Sequence, residues 1–288
     1  MALLTIVQPV QEPVSLPQMK SYARVGNSAD DELLTELITS ARAWCENYCS
    51  RSFVFQTKRL LMDFFPGYVD FKMAGQKVSS PFVSGSNAVL VGIRYAILLP
   101  YPQVRQIVNF QYQDENGNVQ TMAAGTDFIQ DLDGQPARLM PLFGTMWPVA
   151  RVVSNAVQVD YVTGSIGSIT VATTQGQPQI VSSFRFLPRD VGAILTIPGA
   201  GALVNNEAGP LVASIIAVDV DGNATLSTNA VETVSGAVVW FDGMPTLRMA
   251  KLAIKALVNY WLENKIADTD VIPEGIKSML RPFRDLRL

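Results

Sequence analysis

The 288-residue chain is apolar for its size, with 48% hydrophobic and only 16% charged residues, and its net charge is −3. It contains no histidine, which removes Ser-His-Asp and Cys-His catalysis and the commonest zinc ligands, and the small negative charge argues against a generic nucleic-acid binder. No run of about 18 uncharged apolar residues is present, and the start MALLTIVQPVQEPV lacks a basic leader region; the expectation is a soluble product of the cytoplasm, with no membrane span and no cleaved signal peptide.

Helix-forming sequence lies at the two ends. Ser15 and Pro17 open a short helix in VSLPQMKSYARV that should end near Gly26. Ser28 is the expected N-cap of the next, with Asp31 completing a short capping box and Asp30, Asp31 and Glu32 placed where the helix dipole favours them. Leu34, Leu37, Ile38, Ala41, Trp44, Cys45 and Tyr48 then form one apolar stripe at helical spacing. Cys45 and Cys49, four residues apart on this helix, are poorly placed for a disulfide, and a metal site would need further ligands. They read as small apolar packing residues.

Between Lys77 and Lys251 there is no lysine, and the texture is β-rich. FVFQTKRLLMDFF reads as a strand leading to a turn at Pro66-Gly67. In VRQIVNFQYQDENGNVQTM, Asn116-Gly117 marks a hairpin. Short strands are expected at 127–130, 137–140 and 156–162, the last two joined through Pro141, Trp147 and Pro148.

From Gly164 the composition shifts to small residues with repeated glycine turns. Six strands are expected, at 168–172, 180–186, 193–197, 212–218, 224–227 and 237–241, with turns at Pro198-Gly199, Gly209-Pro210, Asp221-Gly222 and Asp242-Gly243. PGAGALVNNEAGP lacks the ending of a phosphate-binding loop and reads as a flexible loop. Residues 164–243 carry two arginines against six acids.

After Pro245 a helix runs to about Lys265, with Arg248, Lys251, Lys255, Asn259 and Glu263 as a thin polar stripe and nearly every other position apolar. Such a helix is either the central helix of its own domain or also packs on a neighbouring subunit. Leu252, Leu257, Tyr260 and Trp261 are the candidate subunit-interface residues. In IPEGIKSMLRPFRDLRL, Pro273 starts a last helix with Ile276, Met279, Leu280 and Phe283 as its stripe. Arg281, Arg284 and Arg287 share a face if the helix continues. They read either as a solvated face or as a docking tail for an acidic partner or DNA. From Leu247 to Leu288 eight basic residues stand against five acids, opposite in sign to the segment before it.

These pieces, in order, resemble a known pattern. SADDELLTELITSARAWCENY (Ser28 to Tyr48), the Trp147-Pro148 pair, VQVDYVTG (Val157 to Gly164), YWLENK (Tyr260 to Lys265) and IPEGIKSMLRPFR (Ile272 to Arg284) are similar to the phage head–tail connector proteins of the gp6-like and gp15-like adaptor family. The resemblance covers residues 14–164 and 244–288, about 200 residues, and departs from the family at 164–243, which looks like the small β modules of phage tail fibres and other virion proteins.

It implies an α+β fold: a helical adaptor scaffold with a β-rich region (1–163 and 244–288) plus an inserted small all-β sandwich or barrel (164–243). It also implies a structural virion protein of the neck, assembled in the host cytoplasm. Such a protein forms a homo-oligomeric ring, commonly a 12-mer, beneath the portal protein, extends the channel for double-stranded DNA, and presents the surface to which the tail attaches. Arg281, Phe283, Arg284, Arg287 and Leu288 are then the portal-docking candidates. The insert would project from the ring onto tail, tail-completion or fibre proteins. No catalytic, metal or cofactor residues are implied.

Two other readings stay open. In one, the insert is a glycan- or host-binding module, with Phe184, Phe186, Trp240 and Phe241 as its stacking residues. A carboxylate hydrolase would use Asp127, Asp131 and Asp133.

Overall fold

The structure, a computed structural model, describes residues 1–66, 95–204, 207–243, 247–264 and 272–284. The helices are α1 (Leu16–Ala23), α2 (Asp31–Cys49), α3 (Leu247–Asn264) and α4 (Glu274–Leu280), the last followed by a 3-10 turn at Arg281–Phe283. Ser15 caps α1 through a reciprocal box with Gln18, as its position before Leu16-Pro17 dictates. The cap of α2 departs from expectation. It is Asp30, not Ser28, and it makes no side-chain cap bond. Asp31 closes no box because its carboxylate turns to Lys20 of α1, 2.6 Å away, which ties the first two helices together.

A five-stranded antiparallel sheet is built from β1 (Ala2–Val7), β2 (Gln56–Met62), β8 (Val157–Thr163), β4 (Val104–Gln113) and β5 (Val119–Thr121), in that order. β1 carries no signal in the sequence reading, yet it pairs along β2 with Leu3 opposite Leu60. The β4–β5 hairpin turns at Gly117 (φ 88°), where Asp114 accepts from the N–H groups of Asn116 and Asn118. A smaller sheet, β3 (Ile97–Leu99), β7 (Ala137–Pro141) and β6 (Phe128–Asp131), packs beside it. Phe65, Phe110, Phe128 and Trp147 interlock in the shared core, with Phe65 stacked on Trp147 at 5.2 Å.

All six strands expected after Gly164 are present: β9 (Ile166–Thr173), β10 (Gln179–Ser182), β11 (Ile194–Ile197), β14 (Leu211–Val218), β15 (Ala224–Leu226) and β16 (Val234–Asp242). They form one sheet in the order β11-β14-β15-β10-β9-β16 whose end strands lie against each other, a nearly closed barrel with its own core. The segment read as a flexible loop is instead a small ladder, β12 (Leu203–Val204) with β13 (Glu207–Ala208), because Gly201 and Gly209 bond backbone to backbone and bring its sides together.

The chain passes from β8 to β9 through Gly164 (φ 126°), where a Cβ would lie 2.4 Å from the Val54 carbonyl oxygen. It returns at Gly243, whose N–H bonds the Ser165 carbonyl at 2.9 Å. Residues 164–243 therefore leave and re-enter side by side.

The helices share a third core. Leu34, Ile38, Ala41, Cys45 and Cys49 of α2 meet Ala250, Ala253, Leu257 and Trp261 of α3, with Leu280 and Phe283 closing one end. Glu46 organises the exit of α2. Its carboxylate accepts from the N–H of Phe53 at 2.6 Å and of Val54 at 3.2 Å, and from Arg42 at 2.7 Å. Burial pushes this carboxyl above its ordinary value, and Arg42 and the two backbone donors oppose that. Arg42 also grips Glu12 at 2.8 Å, which pins the strand-to-helix connection onto α2.

Candidate docking surfaces

Three surfaces and one buried joint distinguish this molecule. The C-terminal segment behaves differently from its sequence pattern. Pro282, which has no N–H to donate, ends α4 in the 3-10 turn, and Arg284 is extended (φ −71°, ψ 125°). Arg281 and Arg284 therefore do not share a continuing helical face. Phe283 is turned into the helical core and meets Phe53 edge-on at 6.3 Å. Arg284 lies over the ring of Tyr48, 5.3 Å from its centre, and Tyr48 stacks on Trp44. Arg281 remains 67% exposed, with only an exposed contact to Glu274. Of the five docking candidates, Phe283 is thus packing, Arg284 is half used in a cation–π contact and Arg281 is displayed. Arg287 and Leu288 lie outside the described residues.

The outer face of α3 is the second surface. Leu257 and Trp261, expected at a subunit interface, are fully withdrawn into the chain's own core. The face that remains is Met249, Leu252, Ala256 and Tyr260, spaced so that they line up along one side of the helix; Met249 and Leu252 are exposed and the other two half-buried. The ambiguous all-round apolarity of this helix resolves into one side for the core and a narrower apolar side facing out.

The third surface is the connection from β7 to β8. Its residues Trp147 and Ala150 are buried, but Phe143, Met146 and Val152 stand out into solvent. The sequence reading took only Trp147-Pro148 from this stretch. The run LFGTMWPVARVV was the available signal, since apolar residues crowd it without the period of a strand or a helix.

The buried joint connects the five-stranded sheet to the barrel. Arg105 of β4 and Asp190, at the end of the 3-10 turn Pro188–Asp190, are both wholly buried and form a two-pronged ion pair. The remaining guanidinium donors go to the Gly164 carbonyl at 2.9 Å and to Ser165 Oγ at 3.4 Å. Asp190 also accepts from the Leu187 N–H at 2.8 Å. The guanidinium carbon sits 5.5 Å from the centre of Phe241 and 5.9 Å from that of Phe55. Every polar group of the pair that is described has a partner, which is the condition under which a buried ion pair is tolerable. Neither residue was singled out from the sequence, where they stand 85 positions apart.

The acids proposed for hydrolysis are engaged in turns and ion pairs instead. Asp127 accepts from the Ala123 N–H, Asp131 from Gly134 and Arg138, and Asp133 pairs with Arg185. Of the four aromatics proposed to stack on sugars, Phe186 and Phe241 are buried and Phe184 packs on Phe55; Trp240 is 43% exposed. No cluster of metal-ligating side chains occurs among the described residues, and no described helix is long and apolar enough to cross a membrane.

Residues 13–97 match the family model of the phage gp6-like head-tail connector protein. Over this stretch the chain is similar to that connector family. The match takes in α1, α2 and β2 and reaches β3, a narrower stretch than the sequence motifs indicated; it extends to neither α3 nor α4. No curated protein matches the chain. Solved structures show a likeness of fold over the whole chain. A chain from the virion of the native gene transfer agent (GTA) particle is 13% identical, covers 100% of this chain and 97% of its own, and has a TM-score of 0.51. A chain from the neck of the empty GTA particle, computed with C6 symmetry, is 13% identical with the same coverage and a TM-score of 0.52. At that identity the likeness is one of fold. It runs the full length of this chain and so takes in residues 164–243.

Proposed function

We propose that this chain is a head–tail adaptor in the neck of a phage-like particle, a structural component and not an enzyme. The observation that carries the reading is the gp6-like connector match over residues 13–97, and the full-length fold likeness to a chain of a particle neck supports it. In this reading copies of the chain form a closed ring, a 12-mer, under the portal protein. The ring continues the channel for double-stranded DNA and offers the tail its attachment surface. Arg281, with Arg287 and Leu288 beyond the described residues, faces the portal, and the outer side of α3 at Leu252 and Tyr260 meets a neighbouring copy. Residues 1–163 and 244–288 make the adaptor domain, and 164–243 a module directed to tail or fibre proteins.

The test is native mass spectrometry and negative-stain microscopy of the chain mixed with the portal of its own particle. Rings and a portal-bound species are expected; a chain that neither closes into rings nor binds the portal at any concentration overturns the reading. A deletion of 164–243, made together with Arg105→Met so that no guanidinium is stranded, separates this role from host binding. Head–tail joining that survives while attachment to cells fails would favour a glycan- or host-binding module instead.

A further inference from the structure

The turn between β6 and β7 brings guanidinium groups together around too little negative charge. Asp133 of that turn pairs with Arg185 of the barrel at 3.2 Å, but it offers Arg189 only its backbone carbonyl, at 2.7 Å. Gln135, two residues on, accepts from Arg51, just past α2, through its amide oxygen at 3.3 Å. The other carboxylate at this joint, Asp190, is committed to Arg105 and to the Leu187 N–H. The turn thus meets three arginines, from two parts of the chain, with one carboxylate of its own.

Arg189 bears the consequence. It is half-buried and pairs with no carboxylate among the described residues, and its Nη1, shielded from solvent, has no hydrogen-bond partner there. Burial, and after it the charges of Arg51 and Arg105, hold this guanidinium below its ordinary value against the opposing pull of Asp190 and Asp133. Arg185 has the same defect at Nε, also shielded and without a partner among the described residues. Its stem lies against Gly222, where any side chain would collide with it. Buried donors on charged groups are costly to leave unmade, and folded interiors rarely do so. Water would satisfy such a donor but not the charge; an anion does both. Guanidinium forks match the oxygen edges of a phosphate-like ion. Because both nitrogens are shielded, a nucleic-acid strand or a partner's surface does not reach them. A free ion can, as the half-buried Arg189 and the 44% exposed Asp133 side chains shift.

We propose that this joint binds one free oxyanion of the phosphate class, held by Arg189 with Arg185 and Arg51 flanking it. Such an ion ties the β6–β7 turn, the end of α2 and the barrel together within one chain, whatever ring the chain goes on to form.

The test is isothermal titration calorimetry of the full-length chain with inorganic phosphate in a chloride buffer of matched ionic strength, with thermal unfolding alongside. One saturable site per chain is expected, and a melting midpoint raised by roughly 5–10 °C at about a hundred times the dissociation constant. Arg189→Gln should abolish the saturable heat, whereas Arg248→Gln, at an exposed position on α3, should keep it. Asp133→Asn removes a competing charge and frees the Arg185 fork, so it should tighten phosphate binding several-fold; the loss of a merely structural ion pair would not. No saturable heat, or saturable binding that Arg189→Gln leaves intact, overturns the proposal. So does a rise in melting midpoint that is linear in phosphate and equal in the parent and Arg189→Gln, the mark of an ion excluded from the protein surface. If Arg189→Gln does not fold, Asp133→Asn decides, and unchanged or weaker binding in that variant overturns the site.

Discussion

Breaking the Arg105–Asp190 pair from one side should cost far more than removing it altogether. In Asp190→Leu the guanidinium stays buried between Phe55 and Phe241 with its two strongest acceptors gone, and the Leu187 N–H loses its partner as well. Stranding one member of a buried pair costs roughly 3–5 kcal/mol. Arg105→Met strands the carboxylate instead and also releases the Gly164 carbonyl and Ser165 Oγ, so a loss at the upper end of that range is expected. The double variant Arg105→Met/Asp190→Leu leaves no buried charge and fills similar volume. It should lie within ~2 kcal/mol of the parent, because apolar replacement of whole buried pairs is often neutral. Urea unfolding followed by tryptophan fluorescence measures all three, with the two single variants melting roughly 10 °C early at about 2–4 °C per kcal/mol. The reasoning is refuted if the single losses simply add in the double variant, since residues in one network must show a coupling energy.

Burial pushes the thiol of Cys49 from its ordinary 9.0 up to about 12, and that of Cys45 moves in the same direction for the same reason. A raised folded value is a stability contribution that is intact below pH 9 and lost as pH climbs toward the folded value, so at pH 10 each thiol should cost the native state about 1.4 kcal/mol. Chemical unfolding at pH 8 and pH 10, compared between the parent and Cys49→Ala, checks this; an equal drop in both variants would count against it. Gly164→Ala places a Cβ 2.4 Å from the Val54 carbonyl oxygen at a φ that side chains avoid, so a loss of at least ~2 kcal/mol is expected by the same unfolding assay. Phe283→Ala should destabilise by roughly 3 kcal/mol, whereas Arg281→Ala should leave stability within ~0.5 kcal/mol and, if the proposed docking role holds, weaken only portal capture in a pull-down.

What could be read from the sequence follows from how local each signal is. The stripe from Leu34 to Tyr48 declares α2 because its period is that of a helix, and the barrel strands declare themselves through turn residues such as Asp221-Gly222. β1 stayed hidden because ALLTIV has neither clean alternation nor a turn before it, and only its pairing with β2 makes it a strand. Ser28 misled because a capping residue signals a helix start without knowing that Asp31 has a lysine to answer. The helix after Pro245 offered apolar residues all round, and nothing in its own sequence separates Leu257 and Trp261, which face α2, from Leu252, which faces outward. The Arg105–Asp190 joint and the Phe143 loop depend on partners far along the chain, so no local pattern could announce them.

The way residues 164–243 leave and return also has a mechanical side. Two strands entering side by side, joined by the Gly243–Ser165 bond, would by themselves form a hinge about which the barrel could swing. The Arg105–Asp190 pair is an attachment apart from the two chain crossings, as are Arg185 on Asp133 and Phe184 on Phe55, and together they make a bracket. A pull on the barrel is then carried by β4 into the five-stranded sheet, and through Phe53, Val54 and Ile166 into the helices. In the adaptor role proposed above, that stiffness would matter more than the barrel's shape.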